Sequence, residues 1–201
     1  MRRGTVTGAG FFAALVLAVA VSRGSAQETA PAYVGDKSCM KCHFKQHKSW
    51  KKTPLAESMN ALKPTPEAEK DRFAKKKKAG LDPAKDYSTD AKCLPCHTTG
   101  YGRQGGYPTE ITADNDKVAK TMGAVSCEAC HGPGSKYVEH KTAKTKEDKE
   151  AKFTAEGLKE FGLVLPKEET CRTCHNKDNP TNDLETFDFE KDKLKVHEHT
   201  K

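Results

Sequence analysis

Apolar side chains are scarce in this chain: of 201 residues only 35% are hydrophobic and 7% aromatic, with one tryptophan, and the mean hydropathy is −0.81. That excludes a side-chain core of ordinary size for the one or two domains this length allows. A regular cysteine and glycine pattern argues against a disordered chain, so something other than side chains must fill the interior. Long apolar runs are missing too. The one such run, Gly10 to Val21, is about a dozen residues, short of the roughly 20 that a membrane-spanning helix needs. Charge is not one-sided, with 35 Lys and Arg against 28 Asp and Glu. No basic stripe interleaved with aromatics points to nucleic acid, and no cysteine is left unpaired by spacing.

The first 26 residues read as a signal peptide, leaving 27–201 as the mature domain. Arg2 and Arg3 make a basic start, Gly10 to Val21 the apolar stretch, and Gly24-Ser25-Ala26 a small-residue cleavage site. General secretion fits better than a twin-arginine route, and no cysteine at the cleavage site offers a lipid anchor. The expected compartment is the periplasm, with release or the outer cell surface as the alternative, and no membrane span after cleavage.

Eight cysteines fall into four pairs, each with two residues between: Cys39 and Cys42, Cys93 and Cys96, Cys127 and Cys130, Cys171 and Cys174. A histidine follows each pair at once, namely His43, His97, His131 and His175, so the chain reads CMKCH, CLPCH, CEACH and CRTCH. C-x-x-C-H is the attachment signature of c-type haem. Two thiols one helical turn apart add to the two vinyl groups on one porphyrin edge, and the next residue sets an imidazole under the iron. Disulfides or paired zinc sites would account for the cysteines, but neither requires the histidines. Four haem c groups with their irons are therefore the expected cofactors.

Four porphyrins in about 175 mature residues leave roughly 44 residues per haem, so the macrocycles supply the apolar interior. Losing Arg2, Arg3 and Arg23 lowers the formal charge from +7 to +4. Each ferric bis-histidine haem with ionised propionates adds about −1, which brings the holoprotein near neutrality. Basic runs such as Lys75 to Lys78 and Lys141 to Lys149 read first as solvated faces and second as guides for an acidic redox partner.

Four further histidines, His47, His140, His197 and His199, match four irons in number and are the candidate sixth ligands. His47 shares a helix face with His43 and Trp50, so it should serve a different iron from the one His43 holds. His140 follows Gly132-Pro133-Gly134, which must break the helix after His131. His197 and His199 sit in a polar tail with no reason for order unless it returns to the core, and His197 is the preferred ligand. Met59 and Met122, the competing axial ligands, are expected to pack against haem.

The coarse reading is mainly α with long irregular loops. Ser38 opens a helix to about Lys52. Thr53 and Pro54 start a second that carries Leu55, Met59 and Leu62, and Thr65-Pro66-Glu67 a third that stops at Gly80. TTGYGRQGGYP, from Thr98 to Pro108, is irregular, its glycines suited to close approach to a haem. A polar helix is expected from about Thr145 to Gly162, and no strand.

YVGDKSCMKCH with Trp50 seven residues on, the CLPCHTTGYGRQGGY block, VSCEACHGPGS and ETCRTCHNKDNP with a late histidine together resemble the cytochrome c-554 family of tetrahaem cytochromes over residues 33–197. The resemblance implies a mostly helical periplasmic electron carrier, not an enzyme, with closely paired haems and His197 returning as a distal ligand. Family members often carry a histidine where this chain has Leu55, and another near Lys136-Tyr137. An iron here is then five-coordinate, or takes His47, His199 or a histidine from a second subunit. Two alternatives to a carrier that serves redox partner proteins follow. One is an oxidoreductase of small nitrogen compounds at a five-coordinate haem; the other is self-association as a subunit of an extracellular cytochrome filament.

Overall fold

A computed structural model describes Met1, residues 30–181 and residues 186–199. The expected signal peptide, apart from Met1, lies outside the described residues. Among the described residues the secondary structure is helical without strands, and no helix is long and apolar enough to cross a membrane.

The helices are short because their sequences rarely sustain an apolar stripe beyond two turns. The order is α1 (Asp36–Met40), α2 (Phe44–Trp50), a 3₁₀ segment (Pro54–Leu62), α3 (Lys70–Lys78), α4 (Leu94–His97), α5 (Asp116–Met122), α6 (Cys127–His131) and α7 (Ser135–Glu147). Then come α8 (Ala155–Leu158), a 3₁₀ turn (Lys159–Phe161), α9 (Glu168–Arg172), α10 (Phe189–Asp192) and a last 3₁₀ turn (Lys193–Lys195).

Several boundaries follow local chemistry. Pro54 opens its segment at the first helical position, where the missing N–H costs nothing. Gly80 closes the Lys-rich helix with φ +69°. Gly132, at φ +82°, ends α6 directly after His131, as the Gly-Pro-Gly sequence requires.

Two expectations are corrected. The helix read from Ser38 to Lys52 is two helices, because His43 leaves helical geometry at φ −118°, ψ 48°. The polar helix placed at Thr145 to Gly162 is interrupted: α7, started by the Gly-Pro-Gly turn that ends α6, stops at Asp148 in extended geometry, and helix resumes in α8 and the 3₁₀ turn after it. The glycine-rich stretch approaches Tyr33 closely: Tyr33 N donates to Gln104 O at 3.0 Å, and a Cβ on Gly105 would run into the Tyr33 backbone carbonyl.

The apolar cluster is small. Leu62, Tyr87, Leu94, Tyr107, Ala119 and Met122 form it, with Met59, Tyr33 and Cys93 packed alongside. Trp50 is buried apart from that cluster and donates from its indole N–H to Val125 O at 3.0 Å, tying α2 to the chain entering α6. Thr99, two residues after His97, is completely buried; its hydroxyl donates to Ala124 O at 2.6 Å and accepts from Ser126 N at 2.9 Å. The second and third cysteine motifs are thus held together by backbone-directed bonds rather than by apolar area.

Candidate haem centres

Each Cys-x-x-Cys-His motif makes one helical turn. In the first, Cys42 N and His43 N both reach Cys39 O, at 3.2 and 2.9 Å. In the fourth, Cys174 N and His175 N reach Cys171 O at 3.1 and 2.9 Å. This turn brings two thiols and an imidazole to one side of the backbone, the arrangement that thioether attachment with a proximal ligand requires.

None of the eight cysteines forms a disulfide. Among the described residues no three His, Cys, Asp or Glu side chains converge as a metal-binding group, which is what a zinc site would need. The donors suit haem instead, and two histidines show it directly. His97 Nδ1 donates to Ser58 O at 2.8 Å, and the Ser58 hydroxyl donates back to His97 O at 2.7 Å. His131 Nδ1 donates to Val164 O at 3.1 Å, while Val164 N donates to His131 O at 2.8 Å. A carbonyl only accepts, so the proton is on Nδ1 in both rings and Nε2 keeps its lone pair for a metal. Burial lowers the pKa of His131 and also that of His43, favouring the neutral imidazole that ligates iron.

The motifs meet in pairs. Helix α1 packs on α6, which sets the first motif beside the third, and Cys96 and Cys174 line one opening, which sets the second beside the fourth. An opening of about 300 Å³ between the second and fourth motifs is lined by Cys96 and Cys174 together with Tyr33, Tyr101, Val125 and Ala129.

Glu128, inside the third motif, is a buried carboxylate that spans the first pair. Its Oε1 accepts from Val34 N at 3.0 Å and Gly134 N at 2.7 Å, and its Oε2 from Gly35 N at 2.7 Å and Val34 N at 3.2 Å. One side chain therefore joins the entry to the first motif, the third motif and the turn leaving it.

The candidate sixth ligands have different fates. His197 faces His131 with ring centroids 6.1 Å apart. Two imidazoles on opposite sides of one iron, each bound through Nε2 at about 2 Å, have centroids about 6 Å apart. His197 Nδ1 is tied to Glu198 O at 2.8 Å, again leaving Nε2 for a metal. His199 stacks on His197 at 4.5 Å, and its Nε2 bonds Lys193 O at 2.8 Å. The His140 ring lies flat on Phe161 at 3.6 Å, with Phe153 edge-on.

His47 departs from the expectation that it reaches a neighbouring iron. It is buried with Nε2 2.7 Å from Asp36 Oδ2, so a carboxylate takes that nitrogen, because α1 presents Asp36 to the same face as His47 and Trp50. His43 Nε2 meets the Tyr137 hydroxyl at 2.9 Å, and His175 stacks on Phe187 at 4.7 Å. Met59 and Met122 both belong to the apolar cluster. Tyr137 stands where family members often carry a histidine, whereas nothing in the sequence analysis singled out Asp36, Ser58 or Glu128. Of these only Glu128 carried a signal, a charge inside an attachment loop.

The sequence profile of the family described as cytochrome c554 and c-prime matches residues 38–132, which include the first three motifs. Cytochrome c-554 of Nitrosomonas europaea is 39% identical over 145 residues, covering 71% of this chain and 57% of that protein's length. The solved structure of the reduced state of cytochrome c554 from Nitrosomonas europaea matches with a TM-score of 0.68 at 33% identity, over 85% of this chain and 87% of that one.

Proposed function

The chain belongs to the cytochrome c554 family and binds four c-type haems, and from that premise we propose that it is an exported carrier of single electrons rather than an enzyme. The observation that carries this reading is the pairing of motifs, the first beside the third through α1 on α6 and the second beside the fourth around one opening. Adjoining attachment motifs bring the edges of two attached groups together, which is what passing electrons within one molecule requires. Bound haem supplies the reversible one-electron chemistry of its iron.

The chain's residues do the rest. The eight cysteines tether, and His43, His97, His131 and His175 hold the proximal positions. Ser58 O and Val164 O fix two of those rings in the ligating tautomer. His197 completes the coordination opposite His131, a reading supported by the 6.1 Å ring separation. The mature domain is residues 27–201, and the N-terminal pattern of residues 1–26 supports delivery to the periplasm. The partners are redox proteins that donate and accept electrons.

Low-temperature electron paramagnetic resonance of the oxidised holoprotein, integrated against total haem, tests the ligand assignment. His197→Ala should convert one haem in four from low to high spin, and His47→Ala should leave the spin count unchanged. An unchanged spectrum in the first variant, or a new high-spin signal in the second, would overturn the assignment.

A further inference from the structure

Six lysines fall between residues 37 and 52, namely Lys37, Lys41, Lys45, Lys48, Lys51 and Lys52, and all six are exposed. No acidic residue lies between Asp36 and Glu57 in the sequence, and Asp36 is buried against His47. The lysines of this segment outnumber the acids that reach them: Lys51 stands 4.0 Å from Asp36, and the C-terminal segment brings Glu198 to the flank, where its N–H donates to Ser49 Oγ at 2.6 Å.

The face is organised by α2. His47 and Trp50 turn inward, and at 100° per residue Lys45, Lys48 and Lys52 lie on the other side, with Phe44 at the edge between the two. Phe44 is 62% exposed and is the one aromatic among the exposed large hydrophobic side chains of the described residues. Lys48 follows it by one helical turn. A large aromatic beside lysines is the residue type that carries binding energy in a contact.

The same segment holds the attachment cysteines Cys39 and Cys42, and Lys41 and Lys45 flank Cys42 in sequence.

We propose that the outer face of α2 with its flanking turns, built of Lys45, Lys48 and Lys52 and edged by Phe44, docks a small acidic one-electron protein that exchanges electrons through the group attached at Cys39 and Cys42. This deepens, and rests on, the reading of the chain as a carrier. Lysines within about a Debye length of one another, about 8 Å at physiological ionic strength, act on an approaching anionic surface together and raise its association rate. Phe44 then supplies contact that salt does not screen. An extended anionic surface such as a lipid headgroup layer would use the charge, but it has no need of one aromatic beside an attachment site.

A plant-type [2Fe–2S] ferredoxin serves as probe, being acidic and, at about −400 mV, a one-electron donor. In the transfer one electron leaves its reduced cluster, one ferric haem becomes ferrous, and no proton moves. Binding is measured by calorimetry with both proteins oxidised, so that the affinity is read apart from the reaction, and transfer by stopped flow with reduced ferredoxin.

At low ionic strength Lys45→Glu/Lys48→Glu should weaken binding at least tenfold and slow transfer correspondingly, and the difference should vanish in ~0.5 M salt. Phe44→Ala should weaken binding at both ionic strengths. A remote control of equal charge change, Lys75→Glu/Lys77→Glu, should stay within about twofold of wild type. All sites are exposed, and the haem absorption spectrum checks each variant's integrity.

Equal effects at the two lysine pairs, or none at either, would overturn the docking surface. So would binding to phosphatidylglycerol vesicles that depends on Lys45 and Lys48 when ferredoxin does not bind. Tight, salt-sensitive binding without haem reduction would instead overturn the carrier reading and leave the surface standing. Reduction that is indifferent to the charge reversal would do the opposite.

Discussion

Glu128 shows how much organisation one side chain supplies where apolar area is short. Its two oxygens take hydrogen bonds from Val34, Gly35 and Gly134, and each donor belongs to chain that enters or leaves an attachment motif. Donors alone surround it, so the acceptor-only carboxylate is matched to its site. Gln in its place has nearly the same shape but turns one oxygen into an NH₂ facing a backbone N–H. Glu128→Gln should therefore cost about 2–3 kcal/mol, read as a lowered denaturation midpoint of the holoprotein. The same reasoning separates His47 from His197. Both were legible as candidate ligands, because both are histidines beyond the four proximal ones. Which of them finds a carboxylate and which faces a second imidazole depends on partners remote in sequence. Asp36 is eleven residues from His47, and His131 is 66 residues from His197.

At the level of elements, what was legible is what local chemistry decides. Pro54 starts its segment, Gly80 and Gly132 end theirs, and the Gly-rich run after His97 is irregular. The break between α1 and α2 was not legible, since Lys41, Cys42 and His43 carry no helix-breaking residue; the attachment turn itself imposes it. Nor was the purpose of the glycine run. Gly105 adopts φ +76° and lies against the backbone of Tyr33, so the loop closes over the segment that leads into the first motif. An alanine there meets both a left-handed backbone and a carbonyl that cannot withdraw without losing the bond from Tyr33 N to Gln104 O. Gly105→Ala should lower stability by about 2–4 kcal/mol in guanidinium unfolding, whereas Gly80→Ala, where nothing lies within 4 Å of the added Cβ, should cost only about 1 kcal/mol.

For the molecule as a whole, the scarcity of apolar residues and the four attachment motifs are one fact seen twice. Among the described residues eight hydrophobic side chains are buried, against nine polar or charged ones, a ratio that would leave most domains of this length unfolded. The polar ones do not drive folding, because hydrogen bonds exchanged with water return about 1 kcal/mol each, while ordering the backbone costs about 1–2 kcal/mol per residue. The missing driving force has to come from burying porphyrin, so the fold should not survive its loss. Silver-ion cleavage of the thioether bonds, followed by removal of the released haem and of the metal, should yield a chain whose far-ultraviolet circular dichroism has lost most of its helical signal and shows no cooperative thermal transition. A variant with only Cys171 and Cys174 replaced by alanine gives the graded case. Loss confined to the fourth motif should leave the contact between the first and third, with Glu128 beneath it, as a cooperative unit that still melts sharply. A silver-treated chain that kept a sharp melt would show that the small cluster around Leu62 and Met122 suffices for folding, and that the porphyrins are cargo rather than core.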